Sequence, residues 1–76
     1  MKNLIKVGDA VVVNSNINNY KYKTLCDMKE GQILLVKSFS ESEKLLMNDG
    51  SMYYGGAFLL SDELWYHPSW IDLLIL

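Results

Sequence analysis

Glu43-Lys44-Leu45-Leu46-Met47-Asn48-Asp49-Gly50-Ser51-Met52-Tyr53-Tyr54 reads as two strands meeting at a tight turn. Asp-Gly between apolar runs is the strongest short-range hairpin signal, because a two-residue type I′ turn needs φ > 0 at both central positions. Such a turn sets Asn48 against Ser51, Met47 against Met52, Leu46 against Tyr53 and Leu45 against Tyr54. Alternation then places Tyr53 and Tyr54 on opposite faces of one strand.

Downstream, Gly55-Gly56 permits a kink before Ala57-Phe58-Leu59-Leu60 continues the sheet. Ser61-Asp62-Glu63 predicts the cap of a short helix, with Ser61 as N-cap. Pro68 ends what precedes it and biases His67 toward an extended backbone. Residues 70–76 then form a closing strand, or one helical turn running into it.

Upstream, Gln32 to Phe39 forms a strand with one face in the core and the other partly covered. Met28-Lys29-Glu30-Gly31 turns into it. The polar stretch from Asn14 to Lys23 resists regular structure, yet Ile17, Tyr20 and Tyr22 give it groups to pack, which predicts a folded excursion. Val7-Gly8-Asp9 feeds the β-branched run Ala10-Val11-Val12-Val13-Asn14, the first strand. No internal repeat or low-complexity segment is present.

Seventy-six residues, half of them apolar, make a single domain over residues 1–76. A chain this short often draws on a metal, disulfides or oligomerisation for its last increments of stability. Cys26 is the only cysteine, so an internal disulfide is impossible, and one Cys with one His cannot supply the usual four zinc ligands. The expectation is no metal and no cofactor.

The first six residues lack an apolar run of signal-peptide length, because Lys6 interrupts it. The longest uncharged stretch, Gly50 to Ser61, falls short of the about 20 apolar residues that cross a bilayer. The expected setting is cytoplasmic, without a membrane span.

Net charge is only −2, but it is unevenly distributed. All seven cations are Lys at or before position 44, and Arg is absent. Beyond the Asp49-Gly50 turn lie Asp62, Glu63 and Asp72 with no base to oppose them, together with six of the nine aromatics. Guanine readout and phosphate clamping favour Arg, so the composition argues against nucleic acid as the partner.

The order of these elements, namely Val7-Gly8-Asp9 opening a strand, a long polar loop, the turn 28–31 before Ile33-Leu34-Leu35-Val36, a tight hairpin and Pro68-Ser69 before a last strand, resembles the Src-homology-3-like (SH3-like) barrel. The resemblance implies a mostly β fold, a single small antiparallel barrel with a short helical turn within residues 61–70. By that likeness, 28–34 corresponds to the diverging turn and 67–73 to the 3-10 turn before the final strand. The polyproline-binding signalling members carry an aromatic segment near the first strand and a Trp at the start of the third. Here those places hold Val11-Val12-Val13 and Glu43-Lys44-Leu45, and Ile71 stands where a Tyr is expected, so the likeness extends to architecture alone.

Catalysis finds no support in the residue types. His67 is the one imidazole, and nothing in the spacing joins it to Cys26 as a base to a nucleophile. Asp49-Gly50 has neither a Gly-rich run nor a second carboxylate to make a phosphate or metal loop. The aromatics remain. So small a barrel cannot bury Tyr53, Tyr54, Phe58, Trp65, Tyr66 and Trp70 together with its aliphatics, and exposed Tyr and Trp are typical interface anchors.

The expectation is a non-enzymatic protein-binding module. Its surface comprises Tyr54, Trp65, Tyr66 and Asp62, with Asp49 and Glu63 as rim charges. Its partner is another protein or a second copy, and Leu73-Leu74-Ile75-Leu76 offers an apolar face for self-association. The Lys- and Asn-rich, Arg-free composition suits a phage or mobile-element protein, for which inhibition of a host protein by an acidic face is one form of that expectation. The rival expectations are a nucleic-acid- or ribosome-associated module using Lys2, Lys6, Lys21, Lys23 and Lys29, and a self-assembling structural subunit.

Overall fold

The computed structural model describes residues 5–22 and 24–74. Seven strands form: β1 (Ala10–Val13), β2 (Ile33–Ser40), β3 (Leu45–Leu46), β4 (Met52–Tyr53), β5 (Ala57–Leu60), β6 (Trp65–Tyr66) and β7 (Ile71–Leu73). Two 3-10 turns, Ser15–Asn19 and Pro68–Trp70, complete the regular structure. The fold is mostly β and antiparallel throughout, in a five-stranded sheet of order β6-β5-β2-β1-β7 and a separate two-stranded sheet, β3-β4.

The eight-residue β2 is the spine. Its first half pairs with β1, Val11 opposite Leu34, and its second half with β5, Val36 opposite Leu60. Between the halves the register breaks from Val36 to Ser38, leaving Lys37 as a bulge that lets one strand serve two directions. Burial alternates along it: Leu34 and Val36 point inward, while Ile33 and Leu35 are 60% and 54% exposed. The expected partial cover over this second face is therefore missing among the described residues.

The core gathers Val11, Val13, Leu34, Val36, Leu60 and Ile71 from the large sheet, with Tyr66 and Trp70 beside them. Ile17 from the first 3-10 turn, Met28 and Leu45 close it from other sides. No charged side chain is buried among the described residues.

The element order expected from the sequence is present, down to the 3-10 turn before the last strand, but the barrel is not closed. The edges β6 and β7 do not pair; Pro68–Trp70 joins them instead. Pro68 has no N–H to contribute to a ladder, and Trp70, 4% exposed, is buried in the core against Tyr20 and Tyr66.

The hairpin at Asp49-Gly50 forms in a register one residue from the expected one. Leu45 pairs with Tyr53 and Leu46 with Met52, so the connection is Asn48-Asp49-Gly50 rather than two residues. Gly50 N–H donates to Met47 O at 3.0 Å and Met47 N–H to Ser51 O at 2.8 Å. Only Gly50 takes a positive φ, +87°, at the bulge position of this three-residue loop. A type I′ turn would force Asp49 into the left-handed region as well. Here it stays out and accepts from Ser51 N–H at 2.9 Å and Ser51 Oγ at 2.6 Å.

The β5-β6 turn repeats this geometry and replaces the expected helix cap. Leu60 N–H donates to Leu64 O at 3.1 Å, Glu63 N–H to Leu60 O at 2.9 Å, and Asp62 Oδ1 accepts from Leu64 N–H at 3.1 Å. Ser61 caps no helix; its Oγ accepts from Leu35 N–H. Glu63 occupies the bulge position with φ of +68°, where glycine is the unstrained choice.

Glu63→Gly is therefore expected to stabilise the domain by about 0.5–1 kcal/mol, since φ relief outweighs an exposed ion pair of about 0–1 kcal/mol. That pair joins Glu63 Oε2 to Lys37 Nζ at 2.7 Å. Glu63→Ala should lower stability instead, because it keeps the strain and loses the pair. Urea midpoints of the two variants test the opposition of sign.

Candidate protein-binding surface

The structure places the expected surface residues on two different turns. Asp62, Glu63, Trp65 and Tyr66 belong to the β5-β6 hairpin, and Asp49 and Tyr54 to the β3-β4 hairpin. Tyr66 is the main correction: it is 0% exposed, and its hydroxyl donates to Asp62 Oδ2 at 2.7 Å. Burial, then the Asp62 carboxylate, push the phenol pKa well above its ordinary value. Asp62 is thus engaged by Tyr66 and Leu64 N–H rather than offered to a partner. Trp65 is half-buried and packs on the core, and Glu63 is held by Lys37.

Tyr54 does reach solvent, at 65% exposed. The observed register decides what surrounds it. Leu45, Met47 and Tyr53 face inward, while Leu46 and Met52, a directly opposed pair, face outward with Tyr54. Lys44 Nζ lies 5.8 Å from the Tyr54 ring centroid, placing a cation on the same outer face. Asp49 stands at the exposed tip, its carboxyl held below the ordinary range chiefly by the Ser51 hydroxyl. Among the described residues, neither β3 nor β4 pairs with a further strand. Lys44 and Leu46 were not singled out from the sequence, because the expected register put Tyr54 opposite Leu45 instead.

The inner side of the hairpin is anchored on the body. The Tyr53 ring lies 4.2 Å from the His67 ring, and Gly55 passes so close to Tyr53 that no Cβ would fit. Asn48 ties the tip to the long loop: its Oδ1 accepts from Lys21 N–H at 2.6 Å and its Nδ2 donates to Asn19 O. Between loop, hairpin and second 3-10 turn lies a shallow cleft of about 220 Å³ lined by Asn16, Asn19, Tyr20, Met47, Asn48 and Trp70. Tyr20 lies against Trp70 at 4.4 Å, and Asn16 Nδ2 is committed to Ser69 O. The rim is thus built largely of amides already used to fasten the loop.

His67 caps the second 3-10 turn, its Nδ1 accepting from Ser69 N–H at 3.0 Å, with Ser69 Oγ at 2.8 Å. Burial holds its pKa below the ordinary 6.5. In the window just below 6.5 the unfolded chain therefore binds more protons than the folded one, so stability present above that pH is lost as pH falls through the folded value. Urea midpoints measured from pH 7.5 down to pH 5 should fall more steeply for wild type than for His67→Asn, which keeps a capping acceptor without titrating.

Among the described residues, no cluster of three His, Cys, Asp or Glu side chains could hold a metal ion, and no helix is long and apolar enough to cross a membrane. Of the lysines expected for a nucleic-acid surface, Lys29 lies 3.7 Å from Asp27, and Lys2 and Lys23 fall outside the described residues. Leu73 and Leu74 are half-buried; Ile75 and Leu76 also fall outside them. A scan against protein-family models, a search of curated proteins and a search of solved structures each found no match.

Proposed function

We propose that the protein is a non-enzymatic binding module whose partner-facing surface is the outer side of the β3-β4 hairpin. The observation that carries this reading is the exposed Tyr54 ring beside the opposed pair Leu46 and Met52, on a hairpin that no further strand joins among the described residues. A rigid aromatic anchor beside aliphatic neighbours is the composition of interface hot spots. The inward side holds the stripe in place through Leu45, Tyr53 and Asn48, which limits the ordering cost of binding. β2 also exposes apolar side chains, Ile33, Leu35 and Phe39, but it is paired on both sides and offers no free edge.

Tyr54→Ala is expected to weaken partner capture by about 30-fold, or ~2 kcal/mol, while leaving folding stability within about 0.5 kcal/mol. Quantitative pull-down from cell lysate with wild type and Tyr54→Ala, with urea midpoints alongside, is the test. Equal recovery of every partner by a folded variant would overturn the assignment.

A further inference from the structure

We propose that Asp49 is a site of spontaneous covalent modification, where the Asp49-Gly50 peptide isomerises to an isoaspartyl linkage, and that the docked β3-β4 hairpin slows this reaction.

The chemistry needs only groups present at the hairpin tip and water. The Gly50 amide nitrogen attacks Cγ of the Asp49 side chain and gives up its proton, and a carboxyl oxygen leaves as water, closing a five-membered succinimide. A water molecule then opens the ring. Attack at Cγ restores aspartate, whereas attack at the main-chain carbonyl carbon of Asp49 breaks the original peptide bond and leaves the chain running through Cβ and Cγ. One water is released and one is taken up, so no oxidant, reductant or cofactor enters. Of the five aspartates only Asp49 precedes a glycine; Ala10, Met28, Glu63 and Leu73 follow the others, and no asparagine precedes glycine. Glycine leaves the attacking nitrogen unobstructed, and both residues of the pair are exposed to water.

The folded tip engages both reacting groups. Gly50 N–H donates to Met47 O at 3.0 Å, which fixes the plane of the attacking amide. Asp49 Oδ1 accepts from Ser51 N–H at 2.9 Å and Ser51 Oγ at 2.6 Å. These bonds favour the ionised carboxylate, and the ionised form is the unreactive one, because water departs from the acid. Asn48 fastens the tip to the long loop through Lys21 N–H and Asn19 O. Ring closure consumes the Gly50 N–H and the Asp49 carboxyl, so these bonds must break first. The rate therefore follows the population of the opened tip. Each conversion inserts one backbone carbon, about 1.5 Å of chain, into a connection of three residues between Met47 and Ser51, so the modified tip loses its turn.

The test is incubation of the purified protein for weeks at about 37 °C and about pH 6, where more of the carboxyl is in the acid form than at higher pH. Labelling with an isoaspartate-specific methyltransferase and peptide mass mapping then locate and count the product. Isoaspartate should accumulate at residue 49 and not at Asp9, Asp27, Asp62 or Asp72, and about 10-fold or more faster in urea-unfolded chain than in native protein. Ser51→Ala, which removes the hydroxyl and keeps the amide, should speed the native reaction by about 3-fold or more. If that variant does not fold, Asn48→Ala tests the same dependence on a fastened tip. Native protein that forms no isoaspartate while the unfolded chain converts would overturn the site; native protein that converts as fast as the unfolded chain, or a folded Ser51→Ala no faster than wild type, would overturn the protection.

Discussion

Tyr66→Ala should remove a large part of the domain's stability. Removing a fully buried aromatic costs about 3–5 kcal/mol, against a total of roughly 4–11 kcal/mol for a chain of this length. The ring fills the interior beside Leu60 and Trp70, and nothing in an antiparallel sheet this small can move to occupy its volume. Tyr66→Phe isolates the hydroxyl. It should cost only about 1 kcal/mol, because Asp62 is half-buried and water can replace the lost donor. Denaturant unfolding followed by circular dichroism separates the two. A Tyr66→Ala variant as stable as Tyr66→Phe would mean the ring is not part of the core.

Ile17→Ala is expected to cost about 2–5 kcal/mol although it lies in an irregular loop. Ile17 is completely buried, and the loop around it is fastened by Asn14 and Asn16, whose Nδ2 groups both donate to Ser69 O at 2.9 and 2.8 Å. Losing the isoleucine removes the only fully buried side chain of the first 3-10 turn, so the amide of Tyr20, bonded to Ile17 O at 3.0 Å, should exchange with solvent much faster. Leu25→Ala in the same loop serves as the control. That side chain is 84% exposed, so its truncation should stay within about 0.5 kcal/mol.

These two positions mark where sequence reading succeeds and where it stops. Ile17 was legible as the anchor of a folded excursion, because an apolar group amid asparagines has nowhere to go but inward. Tyr66 was not, because Trp65 and Tyr66 are adjacent, and alternation says only that they face opposite ways. The side chosen depends on β5: Tyr66 lies opposite Phe58, in the set that joins Leu60 and Val36 in the core.

The hairpin shows the same limit at finer grain. Asp49-Gly50 between apolar runs announced a turn, and the turn is there. Its length was decided by the cost of putting Asp49 in a left-handed conformation against the gain of bonding Ser51, a difference small enough for either register to be plausible from local residues. One residue of slip then moved Tyr54 and Met52 from the company of Leu45 and Met47 to that of Lys44 and Leu46.

What the chain determined on its own is the strand-rich antiparallel class, the order of its elements and the folded long loop. These follow from β-branched runs, turn residues and composition, which act locally and survive any arrangement of neighbours. Tertiary structure alone decided that the sheet stays open between β6 and β7, that Tyr66 and Asp62 bond to each other, and that Tyr54 is left to solvent. Each is a competition for a limited interior volume, and its outcome depends on residues far apart in the chain meeting at one place.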